Sequence, residues 1–462
     1  MYGEAHTVLH APSTPGDRNH RIRSSVNAPL KKGVLYYMKV LKLGSVGPSV
    51  ELLQLALGRA GARSLAPDGI FGSATKAALR AFQADNGLAA DGVAGPATHR
   101  ALMPYYTGFA SHRIHRGDTL FALSQLYNVP LSAILTANPG IVPEKLAVGS
   151  SIVVPLPFDI VPTNISFTSA LVSYCVRGIA ARYPFVKTGQ FGKSVMGRPL
   201  WYLSIGEGEK SVFYNAAHHA NEWITVPLLL KFAEKLARAY AEGGKIFGRS
   251  AKEIYQSAAV YIAPCVDPDG VDLVTGELTG GEFYDGAKRI AQNYPDVPFP
   301  SGWKANIRGT DLNLQYPAGW EQARENKFAL GVVGPAPADY IGSSPLSAPE
   351  SRAMYDFTLA LSPQLTLAYH TQGEVIYWRY LDLLPPRSRE IADTFSAVSG
   401  YAAEETPFAS GFAGYKDWFI QNFDRPGYTI EAGRGANPLP IGQFDQIFED
   451  NLGILTLAPL LI

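Results

Sequence analysis

Apolar runs alternate with amphipathic stretches through about the last 300 residues of the chain. Short apolar runs bounded by turn residues predict five strands, Leu200–Ile205, Ser211–Ala217, Ala259–Ala263, Leu365–His370 and Gly427–Glu431. Between the second and third strands, the stretch Glu222–Ala241 has apolar residues at helical spacing. Strands interleaved with helices predict an α/β domain with a largely parallel or mixed central sheet flanked by helices.

A helical pattern and a near-repeat occupy the region before it. Val50, Leu53 and Leu57 lie at positions i, i+3 and i+7, the spacing of one helix face. The segment Asp68–Leu79 recurs 23 residues later as Asp91–Leu102, with seven of 12 positions identical. Each copy has a glycine-containing turn followed by a helix start. We therefore expect a small all-α module over residues 38–106.

Residues 110–157 predict a second small module with the order β-α-α-β. His112–Thr119 is a short strand that runs into a turn, and Asp118 or Thr119 can cap the helix that follows. Val129–Pro139 predicts a second short helix, and Leu146–Pro155 a closing strand. The proline-bounded segment 155–162 predicts a linker to the large domain, residues 163–462.

Composition and charge exclude several classes of protein. In 462 residues, 40 Lys+Arg balance 40 Asp+Glu, so the chain lacks the basic excess of a general nucleic-acid binder. Two cysteines, Cys175 and Cys265, exclude a disulfide scaffold and a CxxC metal pair. Since no stretch of about 18 apolar residues occurs, we expect no insertion into a membrane.

Residues 1–37 differ from the rest of the chain. They mix His, Pro, Ser, Asn and Arg without a sustained period, which predicts disorder, and they contain no apolar core of a signal peptide. Met38 opens a sequence that reads like a natural protein start. Two hypotheses follow: translation begins at Met38, or residues 1–37 are a dispensable tail.

Metal-binding residue types occur at the ends of the predicted strands. His219 and Glu222 are three residues apart where a strand gives way to a helix, so both side chains can face the same way. His370 and Glu431 each end a strand, and open α/β sheets collect their ligands at the carboxyl ends of strands. A catalytic zinc often takes two His and one Glu plus a water.

These segments resemble zinc carboxypeptidases of the carboxypeptidase A type, and more narrowly the bacterial γ-D-glutamyl-diamino-acid endopeptidases of that family. The motifs H-A-N-E-W, G-T-D-L-N, H-T-Q-G and Y-T-I-E occur in the family's order. The resemblance implies one Zn²⁺ bound by His219, Glu222 and His370, with Glu431 as the general base.

Further roles are implied by the same resemblance. Asp311 would orient His219 and Asn313 would contact the substrate. The segment P-C-V-D-P-D-G resembles the family's P-x-x-N-P-D-G loop, with Asp267 in place of Asn. The family's substrate-capping Tyr has no clear counterpart: its position falls near Ala409, and Tyr415 is the nearby candidate.

The chain also departs from the family at its arginines. Leu314 replaces the Arg that clamps a C-terminal carboxylate, and Asn221 replaces another Arg near the first metal ligands. Lys304 is the nearest match to the Arg that stabilises the oxyanion, with Arg308 as a second candidate. Arg434, three residues after Glu431, is the candidate cation for a substrate carboxylate.

The two N-terminal modules resemble wall-binding families. The D-G-x-x-G and A-T-x-x-A-L motifs of residues 38–106 resemble peptidoglycan-binding domain 1, a three-helix module. The G-D-T-L, A-N-P and G-x-x-I-x-V-P motifs of residues 110–157 resemble a LysM domain, which binds N-acetylglucosamine-containing glycans. The resemblance implies peptidoglycan glycan and stem peptides as partners.

Together these resemblances imply hydrolysis of peptidoglycan stem peptides at the bond between γ-D-glutamate and a diamino acid, diaminopimelate or lysine. Two alternatives remain open: a metallocarboxypeptidase acting on ordinary peptides, which Leu314 opposes, and a catalytically dead wall-binding protein, which the intact ligand set opposes. We expect association with the cell wall. No signal peptide is visible, so the protein can reach the wall by lysis of the cell, by non-standard export or by synthesis in a sporulating cell.

The zero net charge generates a prediction about wall attachment. If binding depends on glycan recognition rather than bulk attraction, raising NaCl from about 0.1 M to about 1 M should release less than about half of the bound protein, although the Debye length shrinks from about 10 Å to about 3 Å. Sedimentation with purified walls measures this, with a strongly cationic protein as the control. Release as complete as that of the control would contradict the prediction.

Overall fold

The computed structural model describes residues 38–408 and 411–462. The two hypotheses on residues 1–37, and the Ala409 position, lie outside the described residues. Residues 38–107 form the predicted helical module, a bundle of α1 (Pro48–Arg59), α2 (Ser73–Asp85) and α3 (Pro96–Thr107). Its core includes Val50, Leu53, Leu57, Phe71, Leu79 and Leu102.

The near-repeat has a common hydrogen-bonding plan. The buried Gln54 amide donates to Asp68 Oδ1 at 2.7 Å and accepts from the Gly69 N–H at 2.9 Å. Gln83 makes the equivalent bonds to Asp91 and Gly92 in the second copy. Each buried glutamine thus holds one D-G turn against the preceding helix, which explains why these positions recur.

The second module has the predicted β-α-α-β order. Its elements are β1 (Phe109–Arg113), α4 (Leu120–Tyr127), α5 (Leu131–Ala137) and β2 (Ser151–Pro155), with β1 antiparallel to β2. The Thr119 side chain accepts a hydrogen bond from the Ala122 N–H and caps α4. Within the described ranges, no single helix is long and apolar enough to cross a membrane, and α4 with α5 pass that test only as a bent pair, by length and composition.

The large domain is the predicted α/β domain with a mixed sheet flanked by helices. Its strands are β3 (Lys187–Lys193), β4 (Pro199–Ile205), β5 (Lys210–Ala216), β6 (Lys245–Ile246), β7 (Arg249–Ser250), β8 (Ala258–Ala263), β9 (Leu365–His370), β10 (Val375–Tyr377), β11 (Ala402–Glu404) and β12 (Gly427–Glu431). Its helices are α6 (Ser169–Arg182), α7 (Thr225–Ala241), α8 (Ala251–Ser257), α9 (Pro268–Val274), α10 (Glu282–Ala291), α11 (Trp320–Ala329), α12 (Pro349–Leu361), α13 (Ser388–Ser399), α14 (Tyr415–Phe423) and α15 (Phe444–Leu457).

The eight-stranded sheet has the order β11-β10-β12-β9-β5-β8-β4-β3. The four central strands, β12, β9, β5 and β8, run parallel, while β4 and β10 pair antiparallel to this group. The carboxyl ends of the four parallel strands therefore meet at one edge of the sheet. His370 and Glu431 lie opposite each other in the register of β9 and β12 at that edge.

Helix α7 begins at Thr225, three residues later than predicted. Glu222 lies instead in a separate 3₁₀ turn, Ala220–Glu222, whose Glu222 N–H donates to the His219 carbonyl. The predicted linker, residues 155–162, is also different from expectation. Ile160 and Val161 are fully buried, and their N–H groups donate to the buried Glu234 carboxylate.

The N-terminal modules pack directly on the large domain. Arg59 of α1 donates to the carbonyls of Tyr105, Asp159 and Ile160 at 2.7–3.2 Å, with its guanidinium 4.4 Å from the Phe158 ring centroid. These contacts join α1, α3 and the segment that leads into the large domain. Tyr106 stacks on Tyr174 of the large domain with centroids 5.5 Å apart, and Arg182 of the same helix, α6, donates to the Leu156 carbonyl at 2.9 Å, so both modules contact the large domain.

The Arg59 contacts predict a measurable loss of stability. Arg59→Ala would leave three carbonyls without their charged donor and should lower the free energy of unfolding by roughly 2–3 kcal/mol. Urea denaturation of the full chain measures this. Arg63→Ala, which alters an exposed residue just beyond the same helix, is the matched control. Equal stability of the two variants would contradict the proposed role of Arg59 at the interface.

Candidate active site

Three side chains, one from a strand and two from the turn after β5, converge at the carboxyl edge of the sheet. Ala217 has a φ of 53°, which turns the chain sharply after β5 and leads into His219 and the 3₁₀ turn. His219 Nδ1 lies 2.9 Å from Glu222 Oε1, and His370 Nδ1, at the end of β9, lies 2.9 Å from Glu222 Oε2. The two Nδ1 atoms are 3.1 Å apart.

The donor set fits a divalent metal ion. One ligand atom from each of His219, Glu222 and His370 lies within 4.8 Å of the other two, and all three residues are buried. Two imidazole nitrogens that face each other and a carboxylate can share a cation through their lone pairs, and this is the set typical of catalytic zinc. His370 Nε2 is buried without a hydrogen-bond partner in the described structure, so the polar contacts of this ring lie on its Nδ1 side.

Asp311 holds the far side of the His219 ring. Its Oδ1 lies 3.2 Å from His219 Nε2, and the carboxylate also accepts from the N–H groups of Asn313 and Asp339. Burial raises the pKa of Asp311, but the charge and hydrogen bond of His219 outweigh burial and keep this pKa well below its usual range. An ionised Asp311 fixes the ring with Nδ1 toward Glu222.

A cavity of about 190 Å³ lies beside the ligand cluster. Its lining residues include Glu431 and Lys304, together with His219, Asp311 and Asn313. Lys304 Nζ lies 3.5 Å from Glu222 Oε1, and its side chain is partly exposed. Burial and then the Glu222 carboxylate raise the pKa of Glu431, while Lys304 opposes this shift. The cavity thus has an acid–base group and a cation beside the three-ligand cluster.

Asn313 and Leu314 both line the cavity, so the position at which the family has Arg presents an apolar side chain. The Asn313 side-chain oxygen accepts from the Tyr415 N–H at 3.0 Å. This contact ties the G-T-D-L-N segment to the start of α14.

The structure does not bring three predicted residues to the cavity. Tyr415 is fully buried, and its hydroxyl bonds Thr358 and Thr366 beneath the sheet, so it cannot cover a substrate there. Arg434 is 76% exposed and pairs with Glu374 at 2.5 Å. Arg308 is also exposed, and neither arginine lines the cavity. Proximity in sequence to Glu431 and Lys304 was misleading because both turns direct these long side chains outward.

The cavity contains cations that the sequence pattern did not reveal. Lys416 is buried, donates to the Arg379 carbonyl at 2.6 Å and to Thr406 Oγ1 at 3.0 Å, and pairs with Asp417. Lys327 of α11 also lines the cavity. The remaining polar lining residues are Asp339, Tyr377 and Thr429. Lys416 lies between Tyr415 and Asp417 in G-Y-K-D-W, and no spacing rule marks it as a residue of the site.

A buried acidic cluster lies beneath the ligand-bearing turn. Asp267 Oδ1 accepts from the Gly270 N–H, whereas its Oδ2 is buried without a hydrogen-bond partner in the described structure. A Cβ on Gly270 would come within 2.7 Å of the Ala220 side chain, so glycine allows α9 to pack closely on the turn. Burial and then the Glu350 carboxylate raise the pKa of Asp267 well above its usual range.

Comparison with known proteins gives three family matches. The zinc carboxypeptidase family matches residues 173–453, the peptidoglycan binding domain residues 46–102, and the LysM domain residues 112–155.

Individual proteins are also similar to this chain. The chain is 42% identical over 393 residues to gamma-D-glutamyl-L-diamino acid endopeptidase 1 of Lysinibacillus sphaericus, covering 74% of this chain and 97% of the relative. It is 40% identical over 287 residues to the uncharacterized protein YqgT of Bacillus subtilis (strain 168), covering 61% of this chain and 74% of the relative. Bovine thrombin-activatable fibrinolysis inhibitor, solved in complex with tick carboxypeptidase inhibitor, aligns with a TM-score of 0.48 and 17% identity, over 64% of this chain and 97% of that one.

The acidic cluster predicts a stability that depends on pH. The folded state holds a proton on Asp267 that the unfolded state releases near pH 3.8, so the free energy of unfolding should fall as pH rises above this value. Asp267→Asn should make the free energy of unfolding fall less steeply with pH, by at most about 1.4 kcal/mol per pH unit. Urea denaturation of the zinc-saturated protein at several pH values measures it.

The exposed Asp296→Asn serves as the matched control for the loss of one carboxylate. It should retain the wild-type pH dependence. If Asp267→Asn also retains it, Asp267 does not hold a buried proton.

Proposed function

The chain belongs to the zinc carboxypeptidase family and is a zinc metallopeptidase, and on this basis we propose that it hydrolyses peptidoglycan stem peptides between γ-D-glutamate and a diamino acid. The observation that carries the proposal is the cluster of His219, Glu222 and His370, whose His219 lines a cavity together with Glu431, in a chain with two wall-binding modules. The name of the Lysinibacillus sphaericus relative supplies the bond, and its 97% coverage supports the transfer.

In the proposed mechanism, His219, Glu222 and His370 hold one Zn²⁺. When bound, such an ion polarises a carbonyl oxygen and lowers the pKa of a coordinated water toward about 7. Asp311 keeps the His219 ring in the orientation that presents Nδ1. The buried Glu222 carboxylate contributes a negative charge that a divalent cation balances.

Glu431 is the proposed general base and then general acid. It takes the proton of the attacking water and delivers it to the nitrogen of the leaving amine. A cation bound at Glu222 would offset the carboxylate repulsion that contributes to the raised pKa of Glu431, and would thereby favour the ionised form that acts as the base. Lys304, on the same cavity wall, stabilises the negative charge that develops on the scissile carbonyl oxygen.

The cavity lining favours a substrate other than an ordinary C-terminal residue. Leu314 cannot form the bidentate contact by which Arg binds a terminal carboxylate. In place of the predicted Arg434, Lys327 and Lys416 line the cavity. Each is paired with a carboxylate, Asp339 and Asp417 respectively, so an acidic group of the substrate would compete with these carboxylates. A stem peptide has carboxylates at the γ-glutamyl linkage, so lysines that act as point charges suit it.

Two variants test this assignment of roles. Glu431→Gln should bind zinc like the wild type and lower kcat/KM by at least about 100-fold, since it removes the proton acceptor but no ligand. His370→Ala should lose the zinc ion of the catalytic site, one equivalent per chain, together with hydrolysis. Digestion of purified muropeptides with mass analysis, and elemental analysis of the same samples, measure both properties.

The products identify the bond. We expect one fragment that ends in D-glutamate and one that begins with the diamino acid, and none after chelation of zinc. Release of single C-terminal amino acids would favour the alternative of an ordinary carboxypeptidase. Binding to walls without cleavage would favour the alternative of a dead catalytic domain. Wild-type turnover by Glu431→Gln would remove Glu431 from the mechanism.

A further inference from the structure

A second cluster of metal-binding side chains lies in the LysM module, apart from the proposed catalytic site. It consists of His112 at the end of β1, and His115 and Asp118 in the turn that leads to α4. One ligand atom from each residue lies within 4.8 Å of the other two. Asp118 belongs to the G-D-T-L motif of the LysM resemblance, and the proposed catalytic mechanism uses none of the three residues.

The two imidazoles approach the same carboxylate oxygen. Asp118 Oδ2 lies 2.9 Å from His112 Nε2 and 3.7 Å from His115 Nδ1, and it accepts from the His115 N–H at 2.7 Å. The two rings are nearly perpendicular, at 81°, with centroids 5.8 Å apart. Two ring nitrogens and a carboxylate oxygen thus face one point from three directions.

The surroundings of His112 resemble those of a metal ligand. Its other nitrogen, Nδ1, lies 3.1 Å from the Tyr127 hydroxyl, which can accept the Nδ1 proton. That tautomer leaves a lone pair on Nε2, the atom that faces Asp118. In the other tautomer Nε2–H donates to Asp118 and Nδ1 accepts from the Tyr127 hydroxyl, so an ion that binds at Nε2 would replace this proton.

We propose that His112, His115 and Asp118 bind a second divalent transition-metal ion, with zinc as the reference ion. Two nitrogens and one carboxylate oxygen are a donor set that suits Zn²⁺, Ni²⁺ and Cu²⁺ rather than Ca²⁺ or Mg²⁺. His112 is buried while the His115 side chain is 56% exposed, so one side of the site is closed by protein and the other is open to water ligands.

The ion would link the turn that precedes α4 to strand β1. His112 belongs to β1, whereas Asp118 directly precedes the residue that caps α4, so a shared ion joins two elements of the small module. Any ion that binds the folded module and not the unfolded chain stabilises the fold by mass action. The site therefore makes the stability of the LysM module depend on metal, independently of hydrolysis.

The test is the zinc stoichiometry of the full chain, measured by equilibrium dialysis and elemental analysis. The wild type should bind two ions, and His115→Ala should bind one while it retains wild-type hydrolysis of muropeptides. Asp118→Asn should also bind one, because Asn keeps an acceptor for the His115 N–H but loses the charge. Arg116→Ala, an exposed change in the same turn, should bind two.

His370→Ala separates this site from the catalytic one. This variant should keep one ion in the LysM module, and adding zinc should raise its melting temperature unless His115 is also replaced. A wild type that saturates at one ion overturns the proposal, as does a His115→Ala variant that still binds two. Neither result would affect the assignment of the catalytic residues.

Discussion

Burial of the Glu222 carboxylate is the constraint on which the active site depends. The carboxylate is 1% exposed, and ionising it away from water is costly unless positive charge lies close by. Two imidazoles and Lys304 surround it, and a divalent cation would bind the carboxylate and the two imidazole nitrogens together. Asp311, which fixes His219, and the close packing of α9 on the turn both serve to hold Glu222 at this point.

The sheet topology explains why these groups meet. The central strands run parallel, so polar residues that follow different strands, far apart in sequence, reach one edge. The N-terminal modules are docked on the same domain through Arg59 and the buried segment that contains Ile160. A wall strand held by the modules would therefore meet the cavity in a fixed relation rather than through a flexible tether.

Periodicity predicted the strands well where both faces are buried. The observed bounds of β9 and β12 are the predicted ones, because a short apolar run between turn residues is typical of a buried strand. The edge strand β3 was missed because its polar, glycine-containing sequence has no apolar period. Residues 155–162 were predicted to be a linker because prolines bound the segment. In the structure Ile160 and Val161 are buried, so the segment is part of the packed core.

Side-chain direction was harder to predict than residue type. Tyr415 and Lys416 are adjacent, yet the first residue of α14 points beneath the sheet and the second points into the cavity. Arg434 is three residues from Glu431 but lies on the surface with Glu374. Such directions depend on tertiary packing, whereas His219, Glu222 and His370 were identifiable because strand ends and a short turn fix them.

Anomalous diffraction at the zinc edge, from crystals of the zinc-loaded protein, tests whether these three side chains share a metal ion. A peak is expected within about 2.3 Å of His219 Nδ1, His370 Nδ1 and the Glu222 carboxylate. The absence of a peak between these three side chains, or a peak there that omits one of them from its ligands, would contradict the shared metal site.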